Sequence, residues 1–289
     1  MLKKFKPYVM LAPVMFIILG IFTMGLALGF FQSLGYFPAV GLKEFTLRYY
    51  KEVLTDIGFL DSLKFTLYTS FVSSTLALII GVLLAYSIFQ SKSRKGVLYT
   101  IYKLPVIVPH SIAALLVFNV LTQSGILARV LFYLGIISEQ TQFPSLIFDQ
   151  NGIGIIISYL WKGIPFIAMT VYTVLSNIND KLTDAALNLG ANRRQVFWKI
   201  LLPLLMPSIL SSYIIIFAFS FGAFEIPYLL GPTSPKLLPV KAYIEYINPD
   251  LSHRPYSMVI NMVLASYSLI LVWFYSKTFK LFSKFDEIS

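Results

Sequence analysis

Glu225 is the residue whose position most demands a chemical explanation. It stands inside the apolar run 219–230, where a carboxylate costs a few kcal/mol at the centre of a bilayer unless it faces protein or water. Its surroundings must therefore supply a partner, a polar path or the outer edge of the membrane; Lys162 is the ion-pair partner available in a neighbouring apolar run. Pro227, two residues on, removes a backbone donor and predicts a local opening in which carbonyl oxygens join the carboxylate at a cavity wall. A second break is expected at Lys103 and the Pro105-Val106-Ile107-Val108-Pro109-His110 stretch, and a third at Trp161, Lys162, Gly163 and Pro165. In the third, Trp161 suits an interfacial anchor and Lys162 a snorkelling cation. His110 is a type that relays protons or binds metals, but the other histidine, His253, falls on a predicted outer loop, and a dedicated metal site is not expected. Interruptions of several apolar runs at membrane depth are what a solute pathway requires. They do not name the solute.

The elements that must hold these groups follow from composition. The 289 residues are 57% hydrophobic and 12% charged, with a mean hydropathy of +0.76, which places the chain among multispanning membrane proteins. A spanning helix needs about 20 mainly apolar residues, and runs near 8–31, 65–89, 100–121, 153–175, 207–230 and 257–276 qualify. The fold class is therefore all-α, polytopic, with about six transmembrane helices. The first run, behind Lys3, Lys4 and Lys6, is too long for a signal core and is expected to remain as a helix. With no cysteine, the chain has no disulfide, thiolate metal ligand or cysteine nucleophile. The net charge of +10 is spread over the ends of apolar runs rather than gathered on one basic face, so it argues for membrane orientation and against nucleic acid.

With six spans, Lys3, Lys4 and Lys6, then Lys92, Arg94 and Lys95, then Lys181, Arg193, Arg194 and Lys199, then Lys277, Lys280 and Lys284 share one side, which the positive-inside rule makes the cytoplasm. Both termini are expected there. The opposite loops mix signs, and the loop 121–151 carries apolar Val130, Leu131, Phe132 and Tyr133, consistent with short helices at the outer surface. Gly81 with Ala85, and Ala218 with Gly222, are spaced for close helix packing, while Ser70, Ser73, Ser74 and Thr75 suit interhelical hydrogen bonds or a polar lining.

One polar island on the cytoplasmic side has a shape of its own. Leu182, Ala185, Ala186 and Leu189 recur at helical spacing, Gly190 can take the left-handed conformation that ends a helix, and Val196, Phe197, Ile200 and Leu201 resume the period. Two short helices meeting at a sharp turn are predicted, with Pro203 and Pro207 limiting regular helix beyond them.

The order Asp184-Ala185-Ala186, three residues, Gly190, nine residues, Ile200, one residue, Leu202-Pro203 resembles the EAA loop of binding-protein-dependent ABC importer permeases. Asp184 departs from that family's usual Glu, keeping the charge with a shorter reach. The resemblance covers about 61–280 and implies a type I ABC importer (MetI-like) transmembrane fold: a first helix and outer segment over 1–60, the transmembrane domain over 61–280 with its coupling loop at 180–203, and a cytoplasmic tail over 281–289. It implies that Asp184, Ala185, Ala186, Gly190, Ile200, Leu202 and Pro203 dock on an ATPase dimer that holds ATP and Mg. It also implies a second permease subunit, identical or homologous, an extracytoplasmic solute-binding protein, and residence in a bacterial inner membrane.

No Gly-rich phosphate loop, paired-histidine zinc helix or Gly-x-Ser-x-Gly elbow occurs, so no catalytic site and no cofactor are expected on this chain. The stretch 224–231 with Leu238-Pro239-Val240 further resembles the spermidine/putrescine-type branch, whose relatives also carry thiamine, ferric iron or organophosphonates. A carboxylate at Glu225 suits a polyamine or other small cation, aided by aromatic faces. Glu225, Pro227, Lys103, His110 and Lys162 are the candidate substrate pathway. The rival classes are an intramembrane enzyme using Glu225, His110 or Lys103 as acid and base, and a non-transporting membrane scaffold.

Overall fold

Residues 2–91, 102–178 and 180–286 are described by the computed structural model, so the basic group Lys92, Arg94 and Lys95 and the start of the third apolar run lie outside the described residues. Regular structure is helical, with no named strand among the described residues. In chain order the helices are α1 (Leu2–Ser33), α2 (Arg48–Thr55), α3 (Ile57–Gln90), α4 (Leu104–Ile107), α5 (His110–Leu121), α6 (Ile126–Tyr133), α7 (Ile153–Asn177), α8 (Asp180–Asn188), α9 (Arg193–Val196), α10 (Leu202–Gly222), α11 (Glu225–Leu230), α12 (Leu238–Tyr246) and α13 (Arg254–Asp286). Six described stretches are long and apolar enough to cross a membrane: Val9–Ser33, Ile57–Gln90, His110–Tyr133, Ile153–Asn177, Arg193–Gly222 and Leu251–Phe274. The count matches the hydropathy reading. The boundaries differ most in the third span, which begins and ends later than its apolar run, and in the fifth, which begins earlier and ends at Gly222, leaving α11 as a separate short helix.

The chain divides into two compact units, Met1–Leu60 with Leu238–Ser266, and Asp61–Leu237 with Tyr267–Ser289. In the first unit, α1 presents apolar side chains nearly all round, as a lipid-facing helix does. Its C-terminal end is held by contacts of Gly29 with Met258 and Met262 and by Ser33 Oγ at 2.9 Å from Tyr50 Oη. Glu52 accepts from Arg48 Nε at 2.6 Å and from the Tyr256 hydroxyl, and Lys241 Nζ donates to Asp56 at 2.8 Å.

The Lys241 hydrogen bond is the chief reason the Asp56 carboxyl titrates below its ordinary 3.8. A carboxylate depressed by folding stabilises at pH above its unfolded value, and that contribution is lost as pH falls through the folded value. Asp56→Asn should therefore lower the unfolding temperature of the purified protein near pH 7. The gap from wild type should close as pH drops below about 4, and a gap that persists there would rule out the ion pair as its cause.

In the second unit, α3 and α7 run in the same direction along a seam of small residues. Gly152 faces Thr69, Gly163 faces Ala77, and a Cβ at Gly81 would lie 2.9 Å from Ile167 Cβ and 3.0 Å from the Ile164 carbonyl oxygen. With Ala85 fully buried, the Gly81 pair is a close-packing device, as its spacing suggested. At the Ala218 and Gly222 pair no such approach is seen within this chain: a Cβ at Gly222 would meet nothing within 4 Å among the described residues. Ser73 and Ser74 donate to the Ser70 carbonyl of their own helix, and only Thr75 reaches across, to Tyr213 Oη at 3.4 Å. Hydroxyls in a helix take the carbonyl one turn back when no better acceptor is near. Gly81→Val should destabilise the protein by about 1–3 kcal/mol through overpacking, read as a lowered unfolding temperature in detergent. Adding Ile167→Ala removes only Cγ2 of the clash and leaves Ile167 Cβ and the Ile164 carbonyl in place, so it should recover a minor part of the loss; full recovery would show that the backbone approach is not the cause.

Candidate functional site

The polar island folds as its residue pattern predicts. α8 ends at Asn188, and Gly190 just beyond it, with a φ of +88°, is the left-handed cap. Gly190 N donates to the Leu187 carbonyl and Ala191 N to the Ala186 carbonyl, both at 3.0 Å, the paired bonds of a Schellman turn. Two residues later Asn192 starts α9 with a reciprocal capping box, its side chain accepting from Gln195 N and Gln195 Oε1 accepting from Asn192 N, each at 2.8 Å. Beyond α9, residues Phe197–Leu201 form a π-helical turn that runs into α10. Pro203 and Pro207 do not interrupt α10, contrary to expectation: Pro203 sits where the π-helical turn passes into α10, and Pro207 is carried inside the helix. Pro207 removes a single backbone bond from a 21-residue helix whose Leu205 and Ile209 are buried.

The segment has two faces. Val196, Phe197 and Leu201 are buried in the core formed with α3, α7 and α10, and the Phe197 ring lies 4.4 Å from that of Tyr86. Ala186 and Leu202 pack against the same core. Asp184, Ala185, Gly190 and Pro203 are exposed, as are Leu182, Leu189 (89%) and Trp198. Ile200 lines a shallow depression with Leu189, Gly190, Ala191, Gln195, Val196 and Lys199. Leucines exposed to this degree on a short amphipathic helix are suited to a protein groove.

A second constellation forms where the spans break. α4 stops at Ile107, Val108 and Pro109 are extended, and α5 starts at His110. α10 stops at Gly222, Ala223 is extended, and Glu225 opens α11. This break precedes Glu225 rather than following it, because Pro227 lacks the N–H that the Ala223 carbonyl would have accepted from in a continuous helix. Pro227 is itself buried, and its carbonyl accepts from Gly231 N at 2.9 Å. His110 lies within electrostatic reach of both Lys162 and Glu225, and its ring is 4.7 Å from that of Phe219. Glu225 is exposed at the start of α11, one residue after Phe224, whose ring stacks on Tyr228 at 5.0 Å.

Lys162 makes no ion pair with Glu225 among the described residues; its ammonium donates to the carbonyls of Pro105, Val106 and Val108. Nor does α7 break there. It continues through Pro165 to Asn177, with Gly163 packed against Ala77. Lys103 stands before α4 with its ammonium 5.9 Å from the centre of the Tyr102 ring. Tyr159 and Phe219 were not marked by the sequence. Buried Tyr159 donates to the Ser220 carbonyl at 3.2 Å and sets its ring 6.4 Å from Phe219, a pairing of distant positions that no local spacing reveals.

Residues 77–278 match the family model described as binding-protein-dependent transport system inner membrane component. The chain belongs to this family of multi-pass inner-membrane permeases. It is 27% identical over 209 residues to the spermidine/putrescine transport system permease protein PotC of Escherichia coli (strain K12), covering 71% of this chain and 69% of that relative. It is 24% identical over 233 residues to the sulfate transport system permease protein CysT of Salmonella typhimurium, covering 80% of each. Among solved structures it resembles a chain of a bacterial alginate ABC transporter in complex with an alginate pentasaccharide-bound periplasmic protein, with a TM-score of 0.77, 22% identity and 94% of both chains covered. It resembles a chain of the inward-facing MetNI methionine ABC transporter with a TM-score of 0.58, 18% identity, and 77% and 95% covered. These likenesses establish the type I importer permease fold.

Proposed function

We propose that this chain forms the translocation pathway of an ATP-driven importer and is driven through its 180–203 segment by a separate ATPase dimer holding ATP and Mg. The observation that carries the reading is the two-faced segment itself. Its inner face is rooted in the core of three spans through Val196, Phe197 and Leu201, while Leu182, Asp184 and Leu189 stand free for a partner. A push on that outer face is transmitted to the helices without passing through a flexible loop. The coupling segment comprises Asp184, Ala185, Ala186, Gly190, Ile200, Leu202 and Pro203, of which Ala186 and Leu202 root it in the core while the exposed members offer the docking face, and the transmembrane domain spans 61–280. Residues 1–60 are an added first span and outer segment, and 281–289 a tail. Both termini and the docking segment lie in the cytoplasm, as the basic residues at the span ends support. A second permease subunit and an extracytoplasmic solute-binding protein complete the machine.

For the solute, a small cation such as a polyamine is the reading we favour. Permeases for spermidine/putrescine and for sulfate are similar to this chain at comparable identity, so relatives do not decide between cation and anion. The exposed Glu225 carboxylate favours the cation, because an anion there would be repelled. The Lys162 ammonium is already occupied by carbonyl oxygens. Gentle purification from the native membrane, with mass spectrometry of co-purifying chains, should recover an ABC ATPase. An intact chain that repeatedly comes without one would return the scaffold and enzyme readings.

A further inference from the structure

We propose that Lys162 is a positioning residue that holds open the break between α4 and α5, at the head of the third span, rather than a ligand for the transported solute. Pro105 and Pro109 are four residues apart, so the Pro105 carbonyl faces a position that has no N–H to give. Val108, extended between α4 and α5, lies outside both helices. Lys162 Nζ donates to Pro105 O at 2.6 Å, to Val106 O at 3.3 Å and to Val108 O, so these three carbonyls take the three donors an ammonium has. In a low-dielectric setting a freed carbonyl is costly, and a cation that satisfies several at once fixes the bend that freed them.

The ammonium comes from α7, beside the Gly163 and Ala77 contact in the α3–α7 seam, and so ties the bend to that pair of helices. His110 is the first residue after the bend, and its ring meets Phe219 at 4.7 Å. Lys162 therefore sets where His110 stands relative to Phe219 and Glu225. The same contacts occupy the ammonium's donors, and Lys162 forms no ion pair with Glu225 among the described residues.

The absence of native cysteine makes the test direct, since His110→Cys supplies a sole thiol in this chain. In native membrane vesicles holding the complete transporter, its rates of modification are measured with a cationic and an anionic methanethiosulfonate reagent. Adding Lys162→Met should change both rates in the same direction by about tenfold or more, as expected for loss of charge-assisted hydrogen bonds. Lys162→Arg, which keeps charge and donors, should restore them. A control thiol at Gln140→Cys in the outer loop should react alike in every background. Opposite shifts of the two reagents would mean that Lys162 acts through its field on the pathway, and unchanged rates would mean that it positions nothing; either overturns the proposal. If Lys162→Met does not accumulate, Lys162→Gln takes its place, and its shorter reach should still move both rates together where Lys162→Arg does not. The measurement needs no knowledge of the solute, and its failure would leave the docking role of the 180–203 segment untouched.

Discussion

Gly190→Pro should abolish solute-stimulated ATP hydrolysis in the assembled transporter while leaving the chain in the membrane at normal levels. Proline is locked near a φ of about −65° and cannot take the +88° that Gly190 adopts. It also deletes the N–H that donates to Leu187. Losing both the left-handed cap and its bond, at about 3 kcal/mol together, would leave roughly one chain in a hundred with the docking helix correctly set.

A graded series separates this cause from steric crowding. A Cβ at Gly190 would meet nothing within 4 Å among the described residues, so a side chain is penalised only through the backbone. Asn, which tolerates the left-handed region, should retain activity within a few-fold. Val should lose about five- to thirtyfold, matching a cost of about 1–2 kcal/mol. Stimulation is read as ATP turnover with and without solute-loaded binding protein. Wild-type turnover in the proline variant would show that the turn is not part of the coupling path.

The second large effect is expected at Glu225. If the carboxylate contacts a cation, Glu225→Gln should raise the half-saturating concentration of spermidine or putrescine by about tenfold to a hundredfold, the loss of a charge-assisted contact. Protein level and basal ATPase rate should not change. Uptake and stimulated hydrolysis, measured side by side with sulfate as the opposite-charge comparison, decide the matter. An unaltered polyamine response removes Glu225 from the recognition site.

Much of this architecture was legible because a membrane imposes simple rules. Every spanning segment must be long and apolar, so six runs in the sequence yielded six candidate helices. The turn at Gly190 was legible because its residues are local in sequence and each has a distinct conformational role. The breaks were only partly so. Proline marks a missing donor, yet Pro165 and Pro207 are carried within intact helices whereas Pro109 and Pro227 accompany interruptions. The difference lies in neighbours that local spacing does not contain. The partner of Lys162 was misread for the same reason: its acceptors lie more than fifty residues away, and they are carbonyls, which every residue has. Tyr159 went unnoticed because nothing in an apolar run distinguishes a tyrosine whose hydroxyl has an acceptor from one that reaches the interface.

The seam between α3 and α7 has an evolutionary corollary. At Gly81 a Cβ would meet both Cβ and Cγ2 of Ile167 and the Ile164 carbonyl oxygen of the facing helix, so the seam constrains position 81 whatever side chain stands at 167. Lineages that enlarge position 81 must part the two backbones, because trimming position 167 leaves the Ile164 carbonyl where it is. Across diverging relatives position 81 should therefore stay small, even where position 167 varies and the transported cargo has changed.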